Sequence, residues 1–144
     1  MGEINMQTFV PYADIPSSAE VLDYRRLGKQ RVETLQILNV LCGLRSGGWI
    51  NHPAVKMWKD HEHGLAAYGV TICEVWLAMG YKDTVLEKIK KLCEPDCLDM
   101  PEWWGNELVH SSHRANLLRK LPEHYGKYGW TEDPNTPYYW PINK

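Results

Sequence analysis

The sequence predicts an all-α protein: a compact single-domain bundle of about three main helices with an extended N-terminal arm and an irregular aromatic C-terminal tail. Three observations predict it. Apolar residues recur at spacings of three and four from Val21 to Cys42 and again from Ala54 to Met79. Helix-starting residues stand before these stretches, and Gly43 and Gly80 stand after them. Prolines 16, 122, 134, 137 and 141 confine regular structure to the middle of the chain. With 144 residues and no linker or repeat, residues 1–144 read as one domain.

The elements follow in order. Residues up to Pro16 form the arm. Ser17-Ser18-Ala19-Glu20 reads as a capping box, opening a helix that runs to about Cys42. Its apolar stripe takes Val21, Tyr24, Gly28, Leu35, Leu38 and Cys42, and Gly28 in mid-helix suggests a neighbouring backbone close by. Asn51 or His52 caps a second helix, with Pro53 in its first turn. The stripe Ala54, Trp58, His61, Leu65, Tyr68, Ile72, Val75, Met79 carries that helix to Gly80. A shorter helix is expected from Thr84 to about Cys93, and another from Ser111 or Ser112 to Leu121. The remainder is expected to be a tail docked on the body by its aromatics.

Composition excludes several classes. Seven Trp and eight Tyr are too much aromatic surface for a disordered chain. No apolar run approaches the ~20 residues that cross a bilayer, and no basic–apolar–small leader is legible, so the expected setting is cytoplasmic, without a membrane. Four cysteines without a secretory signal read as reduced thiols. The net charge of −2 removes the overall attraction expected of a non-specific duplex binder, leaving any phosphate contact to a local patch.

Two such patches are legible. Arg25, Arg26, Lys29 and Glu33 fall on one side of the first helix, within about 100° and opposite its apolar stripe. Arg offers a planar fork and Lys a point charge to a phosphate; the alternative is a solvated face with a Lys29–Glu33 ion pair. At the expected start of the last long helix, His110, His113 and Arg114 would meet free backbone N–H groups in an anion site, unless the histidines make only local hydrogen bonds. Cys93, Cys97, His110 and His113 have a spacing close to zinc ligands, but the histidine gap is short and buried free cysteines are commoner, so no metal and no other cofactor is expected. His61 lies in the apolar stripe and reads as a hydrogen-bonded core histidine. In the tail, Tyr125, Tyr128, Trp130, Tyr138, Tyr139 and Trp140 could stack bases or serve for docking alone, with Tyr128 and Trp130 the stacking candidates.

Taken together, these pieces resemble the bacteriophage pyrimidine-dimer DNA glycosylases, called endonuclease V in their phage form. The likeness rests on Gly2-Glu3-Ile4-Asn5-Met6, Leu22-Asp23-Tyr24-Arg25-Arg26-Leu27, His52 before a long helix ending Met79-Gly80-Tyr81-Lys82-Asp83-Thr84, Met100-Pro101-Glu102-Trp103-Trp104-Gly105 before His110, and Tyr125-Gly126-Lys127-Tyr128. The resemblance implies a three-helix bundle in which an N-terminal amine attacks the deoxyribose C1′ beside a helix glutamate. It matches Arg25 to a phosphate-binding arginine and Lys29 to another basic position, with Gly2 as the residue exposed by loss of Met1, or Met6 as the family-like start. The glutamate position is Arg26, which cannot accept a proton. Glu33 lies two turns further on, roughly 10 Å by helical rise. From these losses the sequence favours a nucleotide-binding protein that grips a small phosphorylated nucleotide through Arg25, Arg26, Lys29, His52, His110, His113 and Arg114. The other reading is a repair glycosylase acting on DNA, with Gly2 and Glu33 as catalytic candidates.

Overall fold

The computed structural model describes residues 6–45 and 48–141. Among them are seven α-helices and no strand: α1 (Ile15–Val21), α2 (Tyr24–Leu41), α3 (Pro53–Lys56), α4 (Glu62–Ala78), α5 (Val85–Leu92), α6 (Glu107–Lys120) and α7 (Pro122–Tyr125). No helix among the described residues is long and apolar enough to cross a membrane.

The expected first helix is two helices. Asp14, not Ser17, caps α1 by accepting the Ser17 N–H at 2.9 Å. The chain then turns extended at Leu22, whose side chain is buried, and Asp23 caps α2 from Tyr24 onward. The break is held from afar, because the Asp23 N–H donates to the Tyr125 hydroxyl at 3.0 Å. The buried face of α2 is also rotated from the expected stripe. Leu27, Gln30, Glu33, Thr34, Ile37 and Leu38 point inward, whereas Tyr24 is 49% exposed. What lies against Gly28 is the Trp76 ring, 2.9 Å from where a Cβ would stand, and not a backbone.

The second expected helix divides as well. His52 caps α3, its Nδ1 accepting the Ala54 N–H at 3.0 Å. The chain leaves helical geometry through Asp60, at φ +70°, and resumes at Glu62. The interruption lets Trp58 bury fully against Tyr68 and Trp103 while its indole N–H reaches Thr8. His61 is half-exposed and bonds Asp99 at 3.0 Å, so it is not a core residue. Met79, at the end of the expected stripe, is exposed. The shorter helix stands close to its expected span, its first N–H groups held by the Asp83 carboxylate.

α2, α4 and α5 pack directly on one another, and α1 packs on α4. α6 joins this body through residues 6–11, which have no helical structure and bury their backbone among side chains. Gln7 and Phe9 donate N–H groups to Glu33 and Gln30 of α2. Tyr68 of α4 donates its hydroxyl to the Phe9 carbonyl. From α6, His113 accepts the Val10 N–H, and His110 lies 2.7 Å from the Val10 carbonyl. A backbone without helix or sheet must find its hydrogen bonds elsewhere, and polar side chains on three helices supply them.

Candidate functional site

At the start of α2 the helical period sets Arg25, Arg26 and Lys29 along one edge of a cavity of about 450 Å³. Met6, Gln7 and Phe9 close one side, His52 stands at the cap of α3, and Lys120 ends α6 opposite. Tyr138 and Trp140 cover it from the tail. Four cations and no carboxylate line the space. Arg26 is steadied by Asp23 at 3.2 Å. Burial would raise the Asp23 carboxyl, but hydrogen bonds from Tyr125 and Arg26 outweigh it and hold the group below its ordinary range. The Lys120 ammonium is lowered by partial burial and by the nearby charges of Arg26, Arg119 and Lys29. Cations that repel one another this way gain from an anion placed among them.

Beneath the cavity lies Glu33. One carboxylate oxygen accepts the Gln7 N–H at 3.1 Å, and the other lies 3.6 Å from the Lys29 ammonium. Burial raises its pKa above the usual glutamate value, while the Gln7 N–H, Lys29 and His52 pull the other way. Glu33 is not itself in the cavity lining; it reaches the cavity through Gln7 and Lys29, which are.

The structure brings Arg25, Arg26, Lys29 and His52 together and sets Glu33 behind them; Gly2 lies outside the described residues. It does not bring His110, His113 or Arg114 to the cavity. α6 starts at Glu107, capped by Asn106, a turn before the expected Ser111 or Ser112, so these three occupy the helix interior and not a free N-terminus. Both histidines are buried; His110 spends both ring nitrogens on the chain, its Nε2 accepting the Gly105 N–H at 3.0 Å, whereas His113 uses only Nδ1 and its Nε2 is buried without a hydrogen-bond partner among the described residues. Arg114 ties together Glu107, Glu132 and the Pro11 carbonyl. Trp130 stacks on Tyr125 and donates to the Tyr12 hydroxyl, and Tyr128 packs beside it, away from this cavity. Cys93 lies 3.4 Å from His63, far in the fold from any partnership with His110 and His113, and its thiol is pushed up to about 11 by burial. Among the described residues no three His, Cys, Asp or Glu gather as a metal site. Sequence reasoning missed Gln7 and Lys120, and it named Tyr138 and Trp140 only among the tail aromatics, preferring Tyr128 and Trp130 for stacking. The basic last turn of α6 was the only local signal for Lys120; the tail aromatics carry no register of their own.

The sequence model of one protein family, described as pyrimidine dimer DNA glycosylase, matches residues 6–88. That is more than half of the chain, and it contains Arg25, Arg26, Lys29, Glu33 and His52. The chain belongs to the pyrimidine dimer DNA glycosylase family. No curated protein and no solved structure gives a significant match. In this glycosylase-family chain the matched part holds the cationic edge of the cavity and the buried carboxylate. Lys120, Tyr138 and Trp140, which close the cavity, come from beyond it.

Proposed function

We propose that this protein is a DNA repair glycosylase with lyase activity, acting on pyrimidine dimers or another damaged base. The observation that carries the proposal is Glu33: a buried carboxylate bonded to the N-terminal segment at Gln7, under four cations and inside the family-matched region. Arg25, Arg26, Lys29 and Lys120 take the phosphates flanking the damaged nucleotide. Tyr138 and Trp140 lie against the base or sugar. An amine carried by the N-terminal segment, Gly2 in the sequence reading, forms a bond to C1′. The C1′–N bond breaks, and the base departs with its electron pair and a proton. Glu33 stabilises the cationic sugar and passes the proton released by the amine to the departing base; opening of the C1′–O4′ bond, with the second amine proton going to O4′, then leaves an imine between C1′ and the amine. Arg26 stands where a glutamate is expected, and Glu33 takes the role from a buried position two turns further along α2.

A small phosphorylated nucleotide, the ligand favoured by the net charge, gives way to DNA on two grounds. The family is described by a DNA substrate. The cationic edge is local, so a chain of net charge −2 still presents it to a strand. Borohydride trapping on abasic and ultraviolet-irradiated DNA tests the proposal. Wild type forms a covalent adduct, and Glu33→Gln loses it while still binding DNA; peptide mapping of the adduct identifies the amine. Neither adduct nor base release from either substrate overturns it.

A further inference from the structure

Next to the cavity, and sharing Arg25, Arg26 and Lys120 with it, runs a second groove of about 810 Å³. Tyr24, Met79 and Tyr81 form its floor and stand 49%, 51% and 40% exposed. The tyrosines continue a ladder that begins inside the protein. Arg31 lies over Trp76 at 4.4 Å, Trp76 stacks on Tyr81 at 4.3 Å, and Tyr81 stacks on Tyr24 at 6.3 Å. Arg25 stands 5.7 Å over the Tyr24 ring. Lys127, His124 and Tyr128 form the facing wall. Of the two carboxylates in the lining, Asp23 is engaged by Arg26 and Tyr125, leaving Glu20.

We propose that this groove binds unpaired DNA adjoining the damaged nucleotide, with a base stacked on the shelf formed by Tyr24, the outermost ring of the ladder, where Arg25 now stands, and its phosphates along Arg25, Lys120 and Lys127. The inference rests on DNA being the substrate. Exposed aromatic faces beside a cationic track suit single strands, because every unpaired base offers a ring face; in a duplex those faces are already stacked. The rigid inner half of the ladder holds the shelf in place without substrate. Sharing three cations with the cavity makes one continuous path for a strand.

Fluorescence anisotropy with a labelled single-stranded oligonucleotide, a matched duplex, and an abasic duplex with an unpaired flank tests this. The expected order is tighter binding of the single strand and the unpaired flank than of the matched duplex. Tyr24→Ala should weaken single-strand binding by about 5- to 150-fold, the loss of one stacked base, and Tyr24→Trp should restore it. Unchanged single-strand binding in Tyr24→Ala overturns the inference, and if wild type still traps on abasic DNA the glycosylase proposal stands. Absence of trapping and of binding to any DNA removes both. A dimer in light scattering that Tyr24→Ala dissolves assigns the shelf to a second copy of the chain and likewise overturns the inference.

Discussion

At Glu33 two demands meet in one carboxylate: it must accept the Gln7 N–H to fix the N-terminal segment, and it must stay ionised to serve a cationic sugar. Because burial raises its proton affinity, the acid limb of lyase activity should lie above the ordinary glutamate range of about 4.3. Lys29 lowers that affinity, so Lys29→Met should move the limb to higher pH; a limb that stays put or falls refutes the pairing. His113 makes the complementary point about stability. Burial, with His110 beside it, drives its pKa down to about 3. The unfolded chain binds the proton near pH 6.5 and the folded one does not, so stability from this site is complete above about 6.5 and declines as pH falls toward 3. The slope approaches about 1.4 kcal/mol per pH unit. Asp23 and Asp83 have depressed folded values, so their share is lost only below the usual aspartate range. Glu33, whose folded value is raised, contributes with the opposite sign in this window, so urea melts of Glu33→Gln between pH 4.5 and 7 read chiefly His110 and His113, and a flat midpoint across that range contradicts the assignment.

Helix existence was legible from periodicity, but helix breaks were not. Asp23 and His61 sit inside unbroken apolar patterns, and what stops each helix is a distant partner, Tyr125 for one and the burial of Trp58 for the other. The face of α2 was misread for a related reason. Gln30, Glu33 and Thr34 score as surface residues, yet Gln30 and Glu33 are buried because they satisfy the backbone of residues 7–9. The cationic half of the site was therefore readable as a cluster on one helix, while its carboxylate seemed remote and its lid invisible. Close packing of α4 on the loop before α6 gives a testable case. A Cβ on Gly64 would lie 2.0 Å from the Asp99 carbonyl oxygen, with no flexible side chain to give way. Gly64→Ala should cost about 1–3 kcal/mol or more, seen as a lowered Tm. An unchanged Tm means that the 94–100 segment is not packed on α4 as described.

Across the whole molecule the charge is nearly balanced, so binding strength must come from where the cations stand and not from how many there are. Four cations around the cavity can meet about four phosphates, and log affinity for a duplex should fall with log salt at a slope no steeper than about −4. Lys120→Ala should flatten that slope by about one. A slope near −8 would show a footprint far beyond this cavity and its neighbour. The threading of residues 6–11 between α2 and α6 has a further consequence in time. Val10 leaves the ribosome first, yet its partners His110 and His113 are made about a hundred residues later, some 5–20 s at ordinary rates of synthesis. Until then nothing from α6 can clamp the segment that crosses Glu33. A nascent or prematurely terminated chain thus carries Arg25, Arg26 and Lys29 without the α6 clamp that seats residues 6–11 against Glu33, and the proposed site assembles only once synthesis has passed His113.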